Sequence, residues 1–267
     1  MESSTLLARY DEQLRADAEV DDADEVVRIG PVLSATFPAR RRGFVTHPPF
    51  RMAGPELERL VESVVAHYAA DPRVDDVEWK TRGHDPLPEL LGLLQDHGFT
   101  VEEPETVMAG SVAAAIDADP GLPTGHTLER ATTPAAVREA ESLAGRVFGD
   151  SEERSRQRAD ELVHRLQNAP DSFQMWAVRD PRGRVVSSGR VDFIAGTEFA
   201  SLWGGACEQE HRGRGLYRAL VAERARQATT RGKRWLQVDC TEFSRPILQR
   251  AGLLPITSAT PATWRRA

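Results

Sequence analysis

The chain is poor in cysteine, in long apolar runs and in the phosphate-binding signatures of the common nucleotide sites. Its 267 residues include two cysteines, too few for a disulfide framework or a four-ligand zinc site, which fits a reducing compartment. The first thirty residues hold no apolar core of signal-peptide type, and nowhere does the chain approach the ~20 apolar residues of a membrane span. No G-x-x-x-x-G-K followed by Ser or Thr occurs, nor the three-glycine spacing and downstream acidic residue of a dinucleotide fold. These absences lead us to expect a soluble cytoplasmic protein with no metal and no membrane partner. The remaining composition, 40% apolar and 28% charged, is that of an ordinary globular protein, and at ~150 residues per domain the length suggests two domains.

The net charge of −7 is an average over two unlike halves. Through residue 124 there are 11 basic and 24 acidic residues, a balance of −13; the remainder has 23 and 17, a balance of +6. The negative total argues against gripping a phosphate backbone, and the arginines of the basic half are not interleaved with aromatics, so no nucleic-acid partner is expected. The sign changes across Ala113 to Gly125 (AAAIDADPGLPTG), which has neither helical nor strand periodicity and reads as a linker. We therefore expect domains at 1–112 and 125–267, joined by 113–124.

In the first segment, Pro55 opens a helix with Leu57, Leu60, Val61, Val64, Val65 and Tyr68 on one face. A short strand at Val77 to Lys80 follows, then a helix capped by Asp85, with Pro86 at its first position and Gly98 ending it. In the second segment, Thr133-Pro134 starts a helix and another surrounds Leu162 and Leu166. Strands Phe173 to Arg179 and Arg184 to Ile194 flank the turn Asp180-Pro181-Arg182-Gly183. Phe199 to Ala206 is a third strand, Leu216 to Arg231 a helix, Trp235 to Asp239 a buried strand, and Ser244 to Ala251 a short helix closed by Gly252. Strand, loop, helix and Gly occur twice, as VEWKTRGHDPLPELLGLLQDHGF and RWLQVDCTEFSRPILQRAGL. Two related domains of mixed α/β type, each a mixed sheet flanked by helices, are the economical explanation.

The chemistry concentrates in Leu202 to Val221, LWGGACEQEHRGRGLYRALV. A strand ends, the chain turns through Arg212-Gly213-Arg214-Gly215, and a helix begins at once. Such a helix start offers unpaired N–H groups and partial positive charge to a phosphate or pyrophosphate. Glycines let the backbone approach the anion, and Arg212, Arg214 and Arg218 add charge. Read alone, the four residues are also compatible with a plain surface loop; the strand before and the helix, strand and helix after favour an anion site.

Here the sequence resembles the GNAT family of acyl-CoA-dependent N-acetyltransferases. The family signature is Arg or Gln, two residues, Gly, one residue, then Gly or Ala, and Arg212, Gly213, Arg214, Gly215, Leu216 and Tyr217 occupy it. The resemblance covers Phe173 to Gly252. Over residues 1–112 it is fainter, carried by WKTRGHD and HGF, and HPPFRMAGPELERL stands where a glycine loop would be. It implies a tandem protein with a degenerate first half that does not bind CoA. In the second half it implies that the backbone of Gly205, Ala206 and Cys207 pairs with the pantetheine arm, while Gly213, Gly215 and Tyr217, with their neighbours, hold the pyrophosphate of acetyl-CoA.

The resemblance also exposes two departures. Where some relatives place a catalytic Glu stands Ser201, and where many place a Tyr stands Leu248. Asp239, Glu208 and Asp192 are then the candidate bases, and Tyr217 and Ser244 the candidate acids. Each has a structural alternative: a turn or helix cap for Asp239 and Ser244, helix packing for Tyr217, buried inert thiols for Cys207 and Cys240, and a solvated surface position for His211. The expected activity is acetyl transfer to a small-molecule amine, with a non-catalytic CoA-binding module as the alternative; a homodimer is compatible with this reading.

Overall fold

The computed structural model describes residues 2–266. In chain order the elements are α1 (Ser3–Gln13), β1 (Glu25–Ile29), β2 (Val32–Phe37), β3 (Arg42–Thr46), α2 (Gly54–Ala69), β4 (Asp76–Arg82), α3 (Leu90–Asp96), β5 (Thr100–Val101), β6 (Glu105–Ser111) and α4 (Val112–Asp117). They continue as β7 (Thr127–Arg130), α5 (Pro134–Phe148), α6 (Glu152–Asn168), β8 (Phe173–Arg179), β9 (Val185–Phe193), β10 (Phe199–Cys207), α7 (Leu216–Thr230), β11 (Trp235–Cys240), α8 (Arg245–Arg250) and β12 (Leu254–Arg265). Among the described residues no helix is long and apolar enough to cross a membrane.

These elements form two compact units. The first comprises Met1–Val107, Asp239–Glu242 and Ile256–Ala267, and the second Met108–Val238 with Phe243–Pro255. The C-terminal strand thus completes the sheet of the first unit, an arrangement that a linear reading of the sequence does not anticipate.

In the first unit β1, β2 and β3 form an antiparallel meander, and the crossover through α2 sets β4 parallel to β3. On its other side β4 pairs antiparallel with β12, Trp79 opposite Ala262. The expected stripe of α2 is what it buries: Leu57, Leu60, Val61, Val64 and Tyr68 pack on Val45, Val77 and Trp79, with Val65 half-buried. Gly43 is required beneath the Tyr68 ring, where a Cβ would lie 2.5 Å from it, and the Tyr68 hydroxyl donates to the Ala35 carbonyl at 2.8 Å. The meander and α1 are absent from the sequence reading. The third helix starts at Leu90, not at Asp85-Pro86, because the Asp85 carboxylate is held by both Nη atoms of buried Arg15, at 2.8 and 2.7 Å, and cannot cap.

In the second unit β7, β8, β9 and β10 run antiparallel, and the crossover through α7 sets β11 parallel to β10. Thr133 Oγ1 accepts from Ala136 N and Ser151 Oγ from Arg154 N, so both helices between β7 and β8 begin on side-chain caps. Ser188 on β9 bonds the Ala140 carbonyl of α5, whereas the next residue, Gly189, meets Arg224 of α7. Strand alternation therefore puts α5 and α7 on opposite faces. Residues 113–117, expected as part of a linker, are helical: Ser111 caps α4 by accepting from Ala114 N, and the alanine run favours helix.

Trp79 is fully buried at the centre of the first unit's core. Trp79→Ala should lower the unfolding free energy by about 3–5 kcal/mol, measured by urea denaturation followed through far-ultraviolet dichroism.

Candidate functional site

The site in the second unit begins where two parallel strands part. Pairing of β10 with β11 runs over Phe199–Trp235, Ala200–Leu236 and Ser201–Gln237. Beyond Ser201, among the described residues β10 pairs with β9 alone as far as Cys207, and its register shifts between Trp203 and Ala206. Gly204, at φ +58°, makes that bulge. One edge of β10 is thereby left open to an extended ligand, with Trp203 exposed beside it.

The chain then passes through a 3-10 turn at Gln209–His211 and two left-handed glycines, Gly213 at φ +76° and Gly215 at φ +84°. Gly215 is the N-cap of α7 and supplies no side-chain cap, so the first-turn amides of a 15-residue helix stay open toward an anion. Room at Gly215 is restricted: a Cβ there would lie 2.9 Å from Pro120 Cγ. Leu216 anchors the turn, packed with Val178, Val186 and half-buried Cys207.

The three arginines differ. Arg212 Nε donates to the Cys207 carbonyl at 3.1 Å and its guanidinium lies 5.0 Å from the ring of exposed Phe243, which fixes the end of β10. Arg218 reaches the Ala118 carbonyl at 3.5 Å. Arg214 is exposed in the loop between the two glycines. The backbones of Gly205, Ala206, Cys207, Gly213 and Gly215 and the side chains of Arg214 and Arg218 thus gather along one strand, turn and helix start, within a single unit.

The candidate proton carriers are not gathered in the same way. Asp239 belongs to the first unit, where its carboxylate is 2.6 Å from Lys80 Nζ, itself 3.3 Å from Glu19. Burial alone would raise the Glu19 carboxyl, but Arg82 and Lys80 outweigh it and hold it at about 2. Glu105, in the same unit, is pushed up by burial and by the charge of Asp239. In the second unit Glu208 is half-buried and 3.4 Å from Arg146. Asp192 is buried between Arg165 at 2.7 Å and Arg190 at 2.8 Å. Ser244 precedes α8 in a helical conformation and its side chain makes no cap bond. Ser201 Oγ bonds Gln237 at 2.9 Å, and Leu248 is fully buried.

Of the cysteines, burial pushes the Cys207 thiol up and Cys240 is buried, in accord with inert thiols. His211 is buried, not solvated as expected, because the 3-10 turn folds it inward, 6.1 Å from the His126 ring. Tyr217 packs against Gly205, and Arg224, two turns along α7, is fully buried near its ring. Arg224 was missed in the sequence; the signal was an arginine set in the otherwise apolar face of Leu220, Val221, Ala225 and Ala228.

No family model matches the sequence, and no curated protein matches it. Solved structures do. A GCN5-related N-acetyltransferase from Kribbella flavida superimposes with a TM-score of 0.73 at 17% identity, covering 99% of this chain and 96% of that one. One from Sphaerobacter thermophilus gives 0.61 at 18% identity, over 88% of this chain and 76% of that one. A tandem GNAT protein from the clavulanic acid biosynthesis pathway gives 0.62 at 13% identity, covering 99% and 97%. The fold is that of the GCN5-related N-acetyltransferases, a mixed α/β architecture that accounts for the whole chain.

The ion-pair cluster sets a pH dependence. A carboxyl held below its ordinary 4.5 stabilises the fold fully above that pH, and the contribution is lost as the pH falls toward about 2. The unfolding free energy should decline through this window, and Glu19→Gln should flatten the decline, measured by urea denaturation at successive pH values.

Proposed function

We propose that the chain is an acyl-CoA-dependent N-acetyltransferase that moves the acetyl group of acetyl-CoA directly to the primary amine of a small molecule. The observation that carries this reading is the parting of β10 from β11 followed at once by an uncapped helix start behind two left-handed glycines. An extended amide-bearing arm matches the open strand edge, and a pyrophosphate matches the helix amides.

In this reading the arm pairs with the backbone of Gly205, Ala206 and Cys207. The pyrophosphate is held by the amides of Gly213, Gly215, Leu216 and Tyr217 with Arg214 and Arg218, while Arg212 keeps the strand end in place. The acceptor is an ammonium ion in water; with a pKa near 10.4, its deprotonation at pH 7 costs on the order of 4.6 kcal/mol. We assign Asp239, two residues beyond the last β10–β11 pair, to holding that cation's charge. Glu208 is the carboxylate assigned to proton transfer, and Tyr217 and Ser244 are the hydroxyls assigned to the departing sulfur. Replacement of the usual proton carriers by Ser201 and Leu248 favours a second reading, a module that binds CoA without turnover.

Titration calorimetry with acetyl-CoA, followed by a thiol-release assay over a panel of amines, decides between them: binding with turnover supports the transferase, and binding without turnover on any amine supports the module. Gly215→Glu should weaken acetyl-CoA binding roughly tenfold or more, equivalent to about 1.4 kcal/mol, since it puts a side chain at φ +84° against Pro120 and a negative charge at the anion site. Unchanged affinity in that variant would move the cofactor elsewhere.

A further inference from the structure

In the first unit β1 forms the outer edge of the antiparallel meander. Among the described residues it pairs with β2 and with no other strand, so one row of its backbone N–H and C=O groups faces outward. Its sequence, Glu25-Val26-Val27-Arg28-Ile29, is exposed from Glu25 to Arg28. Val26 is 44% exposed and Val27 42%, and among the described residues they are the exposed large apolar side chains of the first unit. Neighbours in a strand project to opposite faces. A molecule lying on one face of the sheet would therefore cover one valine, whereas a strand added along the edge flanks both.

Charge decides which strand fits. Glu25 is already neutralised, because the Arg73 guanidinium holds its carboxylate at 2.6 and 2.9 Å. Asp24, immediately before β1, and Arg28 are exposed, and among the described residues neither makes an ion pair or a side-chain hydrogen bond. Strand alternation places Val26 and Arg28 on one face and, extended one residue back, Asp24 with them. Opposite residues of antiparallel strands share a face. In two identical strands related by a two-fold axis, the axis therefore passes through one residue and not between two. An axis at Val26 sets Asp24 opposite Arg28 of a second copy, twice over, with Val26 against Val26 between them. An axis at Val27 sets Arg28 against Val26 and leaves every charge unanswered, and an axis at Glu25 or at Arg28 puts like charges face to face, which destabilises. Edge strands commonly carry charge to repel unwanted pairing. Here one acid and one base, four residues apart, block each of these registers except the first.

We propose that β1 is a docking edge for a second copy of this chain: two β1 strands join antiparallel, with the two-fold axis at Val26 and an Asp24–Arg28 pair on either side of it. Both free edges are consumed in the contact, so the assembly closes as a dimer and does not propagate into a fibre. The contact is independent of the acetyl-transfer reading, since every residue in it belongs to the first unit.

Sedimentation velocity over a concentration series should show a monomer–dimer equilibrium for the wild-type chain. Asp24→Arg and Arg28→Glu should each raise the dimer dissociation constant roughly tenfold or more, because each sets two like-charged pairs across the axis. Mixed in equal amounts, the two variants should dimerise with each other about as well as the wild type, since both pairs are then of opposite sign. Both positions are exposed, so dichroism should show each variant folded. A chain that stays monomeric at every concentration overturns the proposal. So does a dimer indifferent to both substitutions, whose contact would lie on another surface. Failure of the mixture to recover the dimer, with both variants folded, overturns the axis at Val26 and the proposal with it.

Discussion

Everything at the site depends on the loss of one strand partner. Through Ser201, β10 is an interior strand with its backbone satisfied on both sides; from Leu202 to Cys207 it keeps β9 and has no β11. Backbone N–H and C=O groups must find partners in protein, water or ligand, so this edge stays functional only while solvent or a ligand can reach it. The bulge at Gly204 turns the strand away, and the α7 amides lie just past its end. The strand edge to which the proposed reading assigns an extended ligand and the helix start to which it assigns an anion are consecutive in the chain, so no long-range positioning is needed to align them.

The same stretch shows how a side chain is accommodated where the family signature has a small one. A Cβ at 205 would lie 2.6 Å from the Tyr217 hydroxyl and one at 189 would lie 2.8 Å from Arg224 Nη1, so a larger residue at either position would force one of these side chains to shift. The two glycines and the two large side chains face each other, so the tyrosine is directed onto the sheet face and away from the turn at 212–215. Packing alone does not explain the set, since an aliphatic residue at 224 would fill the same space without burying a cation.

The sequence was most legible where local rules govern. The glycines ending the third and eighth helices, Gly98 and Gly252, have φ of +86° and +85°; the strands at 173–179 and 199–207 and the helix from Leu216 lie within a residue of their expected limits. The meander at 25–46 escaped because β1 is exposed along nearly its whole length and carries no alternation of apolar and polar residues. Ala113–Asp117 escaped because an alanine run has helix propensity without an amphipathic stripe. The partnership of β12 with β4 could not be read at all, since strand pairing between residues some 180 apart leaves no local mark. At the site, the glycine loop followed from spacing. The engagement of Asp239 by Lys80 and the burial of Arg224 did not, because charge pairing and burial belong to tertiary structure.

The energetics of acetyl transfer rank the proton carriers. Freeing a lysine-like amine of its proton costs about 4.6 kcal/mol at pH 7, whereas protonating a departing thiolate with a pKa near 8.5 is favourable by about 2 kcal/mol. An acid therefore has less to contribute than a base, and a fold can relocate its acid more freely. Leu248 is sealed in the core and Ser201 is bonded to Gln237, so neither side chain offers a free proton carrier. The base is the harder demand. Carboxylates already paired with arginine or lysine, as Asp192 and Asp239 are, serve better to hold an ammonium ion's charge than to remove its proton. In the transferase reading, an acceptor amine of lower basicity than lysine eases that demand directly, by about 1.36 kcal/mol for each pKa unit.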